Sequence, residues 1–388
     1  MSVTLSSLEV QKYKNLVSLS SNTLRENRSL FDNINDEGGL LKLLNNVLEH
    51  IAIKEGEIEE AEKKYQKIAK HLQNHLISIS PEIKTQGSAR IKTIITGIGN
   101  TNFDIDSFSR STCIKGLEEY PMEFFDKYSD TLRIKYPTAE NKNRCIKIPM
   151  NGFPFYIELT PIVELDDGLL YVVDRETESW KRSDPDKYAD WFEACCRSSM
   201  LRHALTDSVE PIPNQHIDEA DVLRKAVRLL KRHRDYFYYK NKNLASADKP
   251  ISCIITTLAA MAYVGLQEIY RYGGQLNEIE RLLNVIRLMP KLIEKSRGLW
   301  VVQNPTIDGE NFAEKWNTHP KRKDAFFNWI DQLEKDIVKI LESANDEKLL
   351  KKSVAEAFGP LETDPDDNKP LFGGAPYIAS PSYTPGLA

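Results

Sequence analysis

The sequence predicts an α+β protein, and two changes of pattern along its 388 residues carry that prediction. Residues up to about 80, and again from about 218 to 347, repeat apolar side chains at helical spacing. Between them, from Ser80-Pro81 to about Leu170, the period falls to two and turn residues punctuate short runs. The expected architecture is a β-sheet core preceded by helices and packed against a helical C-terminal domain.

Each element follows from local residues. Leu40, Leu41, Leu44, Val47, Leu48 and Ile51 line one helix face, and residues 55–75 continue with dense alternating charge. Residues 1–80 are thus expected as N-terminal helices packing on the core. Asn102-Phe103-Asp104-Ile105-Asp106 alternates polar and apolar. Cys145 to Ile148 and Phe153 to Leu159 flank Asn151-Gly152, a strong hairpin turn. Ser183-Asp184-Pro185 offers an N-cap with proline just inside the next helix, which buries Trp191 and Phe192. Pro211 and Pro213 interrupt the chain, so the core unit is placed at 81–215 and a helical lobe at 216–347. That lobe reads as helices at 221–239, 251–272, 276–293 and 325–341. Beyond Phe358-Gly359-Pro360 the chain is rich in proline, and no charged side chain follows Lys369. Residues 348–388 are accordingly assigned as a flexible tail.

Composition narrows the function. Lys and Arg number 52 against 57 Asp and Glu, a net charge of −5, which disfavours constitutive nucleic-acid binding. Cys113, Cys145, Cys195, Cys196 and Cys253 form no C-x-x-C pair and no zinc spacing, as expected in a reducing compartment. Met1-Ser2-Val3-Thr4 lacks the basic and apolar regions of a signal, and the apolar run at 251–264 reads as too short for a bilayer. The expectation is a cytoplasmic protein with no membrane contact.

The chemistry concentrates in a few residues. In a strand, Asp104 and Asp106 face one way while Phe103 and Ile105 face the core. Two acids on one face repel unless a hard cation lies between them, and Mg²⁺ suits that role, with Mn²⁺ as the alternative. Phe155-Tyr156-Ile157-Glu158-Leu159 repeats the alternation and supplies a third carboxylate, enough for a two-ion site. Upstream, Gln86-Gly87-Ser88 is a turn that lets backbone N–H groups and a hydroxyl approach a phosphate. Downstream, Lys231 sits at the margin of the apolar face formed by Leu223, Ala226, Val227 and Leu230, from which it can swing into an interdomain cleft.

This order of motifs resembles the nucleotidyltransferase superfamily of DNA polymerase β. Further stretches make the resemblance more specific: Trp180 to Pro185, Leu230-Lys231-Arg232-His233-Arg234, Lys249-Pro250-Ile251-Ser252 with Thr256-Thr257-Leu258, and Asn304-Pro305 with Glu310 to Trp316. With Thr93 and Glu158-Leu159-Thr160-Pro161, they are similar to the bacterial cGAS/DncV-like nucleotidyltransferases, the second-messenger synthases of anti-phage CBASS operons. The resemblance implies two lobes around a cleft, with Asp104, Asp106 and Glu158 holding two Mg²⁺ ions. It implies Gly87 and Ser88 on the donor triphosphate, and Lys231 and Ser252 contacting phosphates from the helical lobe. The implied reaction joins nucleoside triphosphates, ATP among them, into a cyclic di- or trinucleotide with release of pyrophosphate. The alternatives are transfer of one nucleotide onto a small-molecule, protein or RNA acceptor, and a catalytically silent nucleotide-sensing protein. The resemblance also implies a ubiquitin-transfer-like partner at the C-terminal tail. The Cys/His spacing of the animal sensor's zinc insertion is missing, which argues against activation by double-stranded DNA.

Other residues read as structural. Trp180, Trp191, Trp300 and Trp316 suit a core better than a base stack. Cys195-Cys196 reads as packing, and His203, His216 and His233 have no nucleophile beside them. The 304–316 block reads as a brace beneath the cleft.

Overall fold

Two strands organise the sheet: β2 (Phe103–Ser111) and β5 (Phe155–Glu164) run parallel at its centre. The computed structural model describes residues 5–361 apart from 19–30, 32–33, 36, 100, 113–119, 197–208, 219–220 and 271–275. Before the sheet come α1 (Ser7–Ser18), α2 (Glu37–His50) and α3 (Glu55–His75). The sheet order is β1-β2-β5-β4-β3, with β1 (Glu82–Thr85), β4 (Ile146–Pro149) and β3 (Glu140–Asn141). β6 (Leu170–Asp174) pairs with the far end of β5, and β7 (Ser179–Arg182) pairs with β6. A short helix, α4 (Gly87–Arg90), follows β1, and α5 (Pro121–Lys135) follows β2.

Strand alternation assigns the two faces. Phe103, Ile105, Phe155 and Ile157 are buried beneath α3 and α5, against Tyr65, Ile68, Phe124 and Tyr128. The polar positions between them face the other way. The Asn151-Gly152 turn joins β4 to β5 as an antiparallel hairpin, with Gly152 at φ 82°. The helix α5 was not anticipated in a stretch read as strands, although Pro121 starts it and Phe124, Phe125, Tyr128 and Leu132 recur at helical spacing.

The helical lobe comprises α6 (Pro185–Cys196), α7 (Val222–Lys240), α8 (Ser252–Ile269), α9 (Glu278–Leu288), the hairpin β8 (Glu294–Ser296) and β9 (Leu299–Val301), α10 (Glu314–Thr318), α11 (Pro320–Glu342) and α12 (Glu347–Phe358). Asp184 caps α6, its Oδ1 accepting from the Lys187 N–H at 3.0 Å. The apolar run read as too short for a bilayer is part of a longer helical stretch, Ser246–Ile269, which is long and apolar enough to cross a bilayer but is mostly buried inside the protein.

Two expected assignments change. Of the N-terminal helices, only α3 packs on the sheet core, while α1 and α2 join the helical lobe. For α1 the close approach is at Gly265 of α8: a Cβ there would meet Val17 Cγ2 at 2.5 Å, so its absence admits α1. The supposed tail also begins within α12. Leu350, Val354, Ala357 and Phe358 are buried at helical spacing, and Asp346 Oδ1 caps the Leu349 N–H at 3.0 Å. Residues 362–388, with the expected tail partner, lie outside the described residues, as do Cys113 and His203.

Candidate active site

The parallel register of β2 and β5 places Asp104 opposite Tyr156 and Asp106 opposite Glu158. Because side chains alternate, these four emerge on the face away from α3 and α5. Two of these carboxyls, Asp106 and Glu158, hold protons more tightly than usual. Burial first, then Asp104 and Glu158, push the Asp106 carboxyl well above its ordinary value. Burial also raises Glu158, and Asp104 adds to it, while the Cys145 thiol, donating to Glu158 Oε2 at 3.3 Å, opposes the rise.

The Gln86-Gly87-Ser88 turn lies directly over Asp106. The Gln86 N–H donates to the Asp106 carbonyl at 2.9 Å, and its Nε2 donates to Ser107 O at 3.0 Å and Thr160 Oγ1 at 2.8 Å. Gly87 adopts φ +54°, and a Cβ there would stand 2.3 Å from Asp106 Oδ2. Glycine is required twice over, by the left-handed backbone and by the close approach. The Ser88 N–H donates to the Asp106 carboxylate.

From the helical lobe, α7 holds the chain just past this turn. Arg224, Arg228 and Lys231, at i, i+4 and i+7, share one face. Arg224 Nε donates to Ile91 O at 2.8 Å, Arg228 Nη2 to Lys92 O at 3.0 Å, and Lys231 Nζ to Thr93 O at 2.8 Å. Lys231 is therefore neither a swinging side chain nor part of a solvated basic face: it is 6 % exposed and tied down. Burial pulls its ammonium down to about 8, against the pull of Asp104. Ser252, at the start of α8, accepts from Arg234 Nη1 at 2.9 Å. Gly87, Ser88, Asp104, Asp106, Lys231 and Ser252 all line one cleft of about 820 Å³ between the lobes.

Glu158 is not among the residues lining that cleft, although Tyr156 of the same strand is. Sequence reasoning missed Tyr156, Tyr188, Tyr238 and Arg322, which also line it. Tyr156 was readable, since it shares the outward face with Glu158; its ring carries Lys147 Nζ at 3.7 Å. Arg322 was not, because it enters from α11, distant in sequence. The 304–316 block is held locally, Asn311 Oδ1 accepting from the N–H groups of Val302 and Ala313, both at 2.9 Å, and none of it lines the cleft. Trp191 and Trp316 are core residues.

The three acids were expected to form a metal-binding triad. Among the described residues no three His, Cys, Asp or Glu side chains form a ready-made metal cluster. The acids share a face without closing round one point. Glu158 accepts from the Cys145 thiol and Asp106 from the Ser88 N–H. The donor set nevertheless fits a hard divalent cation: all-oxygen, anionic and partly desolvated, with Gly87 leaving room beside Asp106.

Residues 40–195 match the family model of the Second Messenger Oligonucleotide or Dinucleotide Synthetase domain. The CD-NTase CdnG of Bradyrhizobium diazoefficiens, solved in complex with GTP, is 17% identical with a TM-score of 0.62, over 84% of this chain and 96% of that one. The E. coli MS115-1 CdnC, solved in complex with HORMA-deltaN, is 13% identical at a TM-score of 0.56, over 82% and 96%. Vibrio cholerae DncV cyclic AMP-GMP synthase, solved with the linear intermediate 5' pppA(3',5')pG, is 17% identical at 0.53, over 94% and 93%. No curated protein matches the sequence. Residues 40–195 are thus similar to that synthetase domain, and the chain has the fold of these solved nucleotidyltransferase structures.

Proposed function

We propose that this chain, with the fold of the cGAS/DncV-like nucleotidyltransferases, joins nucleoside triphosphates into a cyclic di- or trinucleotide messenger, releasing pyrophosphate, in anti-phage defence. One observation carries the reading. A pair of aspartates faces a glutamate across parallel strands, beneath a glycine turn and opposite a lysine from the other lobe. DncV, similar in fold, was solved with a linear dinucleotide intermediate.

Each side chain has a role. Gly87 and Ser88 would receive the donor triphosphate, with the glycine allowing the backbone to approach. Lys231, held at Thr93, presents a fixed positive charge to the phosphates, and Ser252 adds a hydroxyl from the helical lobe. Asp104, Asp106 and Glu158 would hold two Mg²⁺ ions, or Mn²⁺, one on all three acids and one on the aspartate pair. Such ions, when bound, neutralise triphosphate charge and acidify an attacking ribose hydroxyl. The tyrosines of the cleft supply faces for the bases.

The test is incubation with ATP, GTP, CTP and UTP and Mg²⁺, followed by phosphatase digestion and mass spectrometry. The expected result is a phosphatase-resistant oligonucleotide, lost in Asp104→Asn with Asp106→Asn. Undiminished product in that double variant overturns the site. Nucleotide transfer only when another acceptor is added overturns the messenger reading.

A further inference from the structure

A second cavity, of about 860 Å³, lies between α2, α3, the 211–217 segment and the start of α7. No residue lines both this cavity and the cleft. Its floor is apolar, built from Leu48, Ile53, Ile58 and Ile212.

Two buried residues in its wall are incompletely satisfied. Arg228 is 5 % exposed and pairs with no carboxylate among the described residues. Its Nε and Nη2 donate to Lys92 O, and Nη2 also donates to Gln215 O at 2.7 Å. The two Nη1 N–H groups have no protein acceptor among those residues, so the guanidinium still has donors for an oxyanion. Gln215, 9 % exposed, donates through Nε2 to Ala89 O at 2.9 Å and Pro213 O at 2.8 Å, while its Oε1 has no donor. Burial and the neighbouring Arg224 pull the Arg228 guanidinium below its ordinary value, only partly offset by Asp221, which does not pair with it. A bound anion would offset the rest.

The opposite wall has the other sign. Glu49, Glu55 and Glu59 are exposed and have no ion-pair partner among the described residues. Glu62 is already engaged, its Oε2 accepting from the Ile212 N–H at 2.6 Å, and Lys225 leans on Glu278 at 3.6 Å. The cavity therefore offers one buried cationic end and one acidic edge across an apolar floor.

We propose that this cavity binds a small zwitterion, its carboxylate on Arg228 and its ammonium groups on the Glu49, Glu55 and Glu59 edge, and that the phosphate-binding turn senses it. The connection is direct: Gln215 holds the carbonyl of Ala89, and Arg228 that of Lys92, on either side of the end of α4. A ligand ordering these two side chains orders the turn that carries Gly87 and Ser88, which makes the two sites thermodynamically coupled.

The experiment uses the full chain, without nucleotide, and isothermal titration with L-arginine, L-lysyl-glycine and agmatine, which lacks the carboxylate. Amide hydrogen exchange across residues 86–93 is followed in parallel. The expected result is saturable one-to-one binding of the first two probes, with agmatine at least about tenfold weaker. Glu55→Gln with Glu59→Gln, both exposed, weakens L-arginine by about tenfold and leaves the melting temperature unchanged. Exchange at 86–93 slows on binding. Absence of saturable binding, equal binding of agmatine, or indifference to the double variant overturns the site. Unchanged exchange with the probe bound overturns the coupling.

Discussion

Gly87 shows how little freedom the site leaves to a single residue. Alanine there costs about 1–2 kcal/mol for the left-handed backbone alone, and its Cβ meets the Asp106 carboxylate. Gly87→Ala is expected to lower product formation at least about a hundredfold, well beyond what its loss of melting temperature explains. The acids carry a pH signature. Asp106 and Glu158 have raised carboxyl values when folded, so the folded state binds protons more tightly than the unfolded one. The stability they contribute is complete below the ordinary carboxylate range and is lost as pH rises through the raised values. Melting curves without metal should fall over that window, flatten in Asp106→Asn, and recover when Mg²⁺ is added. Lys231 runs in the other sense: above about pH 8 it loses its charge, so metal-free ATP binding, measured by titration, should weaken as pH passes that value. At this scale the sequence was informative where chemistry repeats with the strand period, as in Asp104, Asp106 and Glu158. It was silent on what holds Lys231, because the Thr93 carbonyl lies on another element.

The element that matters most is α7, in which Arg224, Arg228, Lys231, Arg232 and Arg234 are buried almost as thoroughly as its leucines. A helical wheel places Leu223, Val227 and Leu230 inside, but it cannot place Arg224, which is 1 % exposed and pairs with Glu193 and Asp221. Burial of those charges is decided by partners from the rest of the fold. Arg224→Leu leaves two partly buried carboxylates unpaired, and chemical denaturation should show a loss of about 3–5 kcal/mol. The β4–β5 hairpin was legible because Asn151-Gly152 dictates its turn locally. The helix α5 was overlooked inside a region dominated by strand signals, although its apolar period is plain once the element is bounded.

On the scale of the molecule, the change from period two to helical period marked the two lobes, yet the lobes do not follow the chain simply. α1 and α2 cross into the helical lobe while α3 stays on the sheet, a partition that depends on the fit of α1 against Gly265. α12 belongs to the same lobe: Arg232 Nε donates to the Phe358 carbonyl at 2.7 Å, and the Phe358 ring is buried beside His233. Phe358→Ala should cost about 3–5 kcal/mol in denaturant unfolding, the loss expected of a core aromatic and not of a tail.

The three consecutive carbonyls held by α7 have a mechanical consequence. The turn over the acids is continuous in sequence with the sheet, yet by its hydrogen bonds residues 91–93 are cargo of the opposite lobe. Any hinge motion that widened the cleft would drag that turn away from Asp106, so the distance between lobes and the distance between the Gly87-Ser88 turn and the carboxylates are a single coordinate. A nucleotide that draws the lobes together assembles its own site in the same movement.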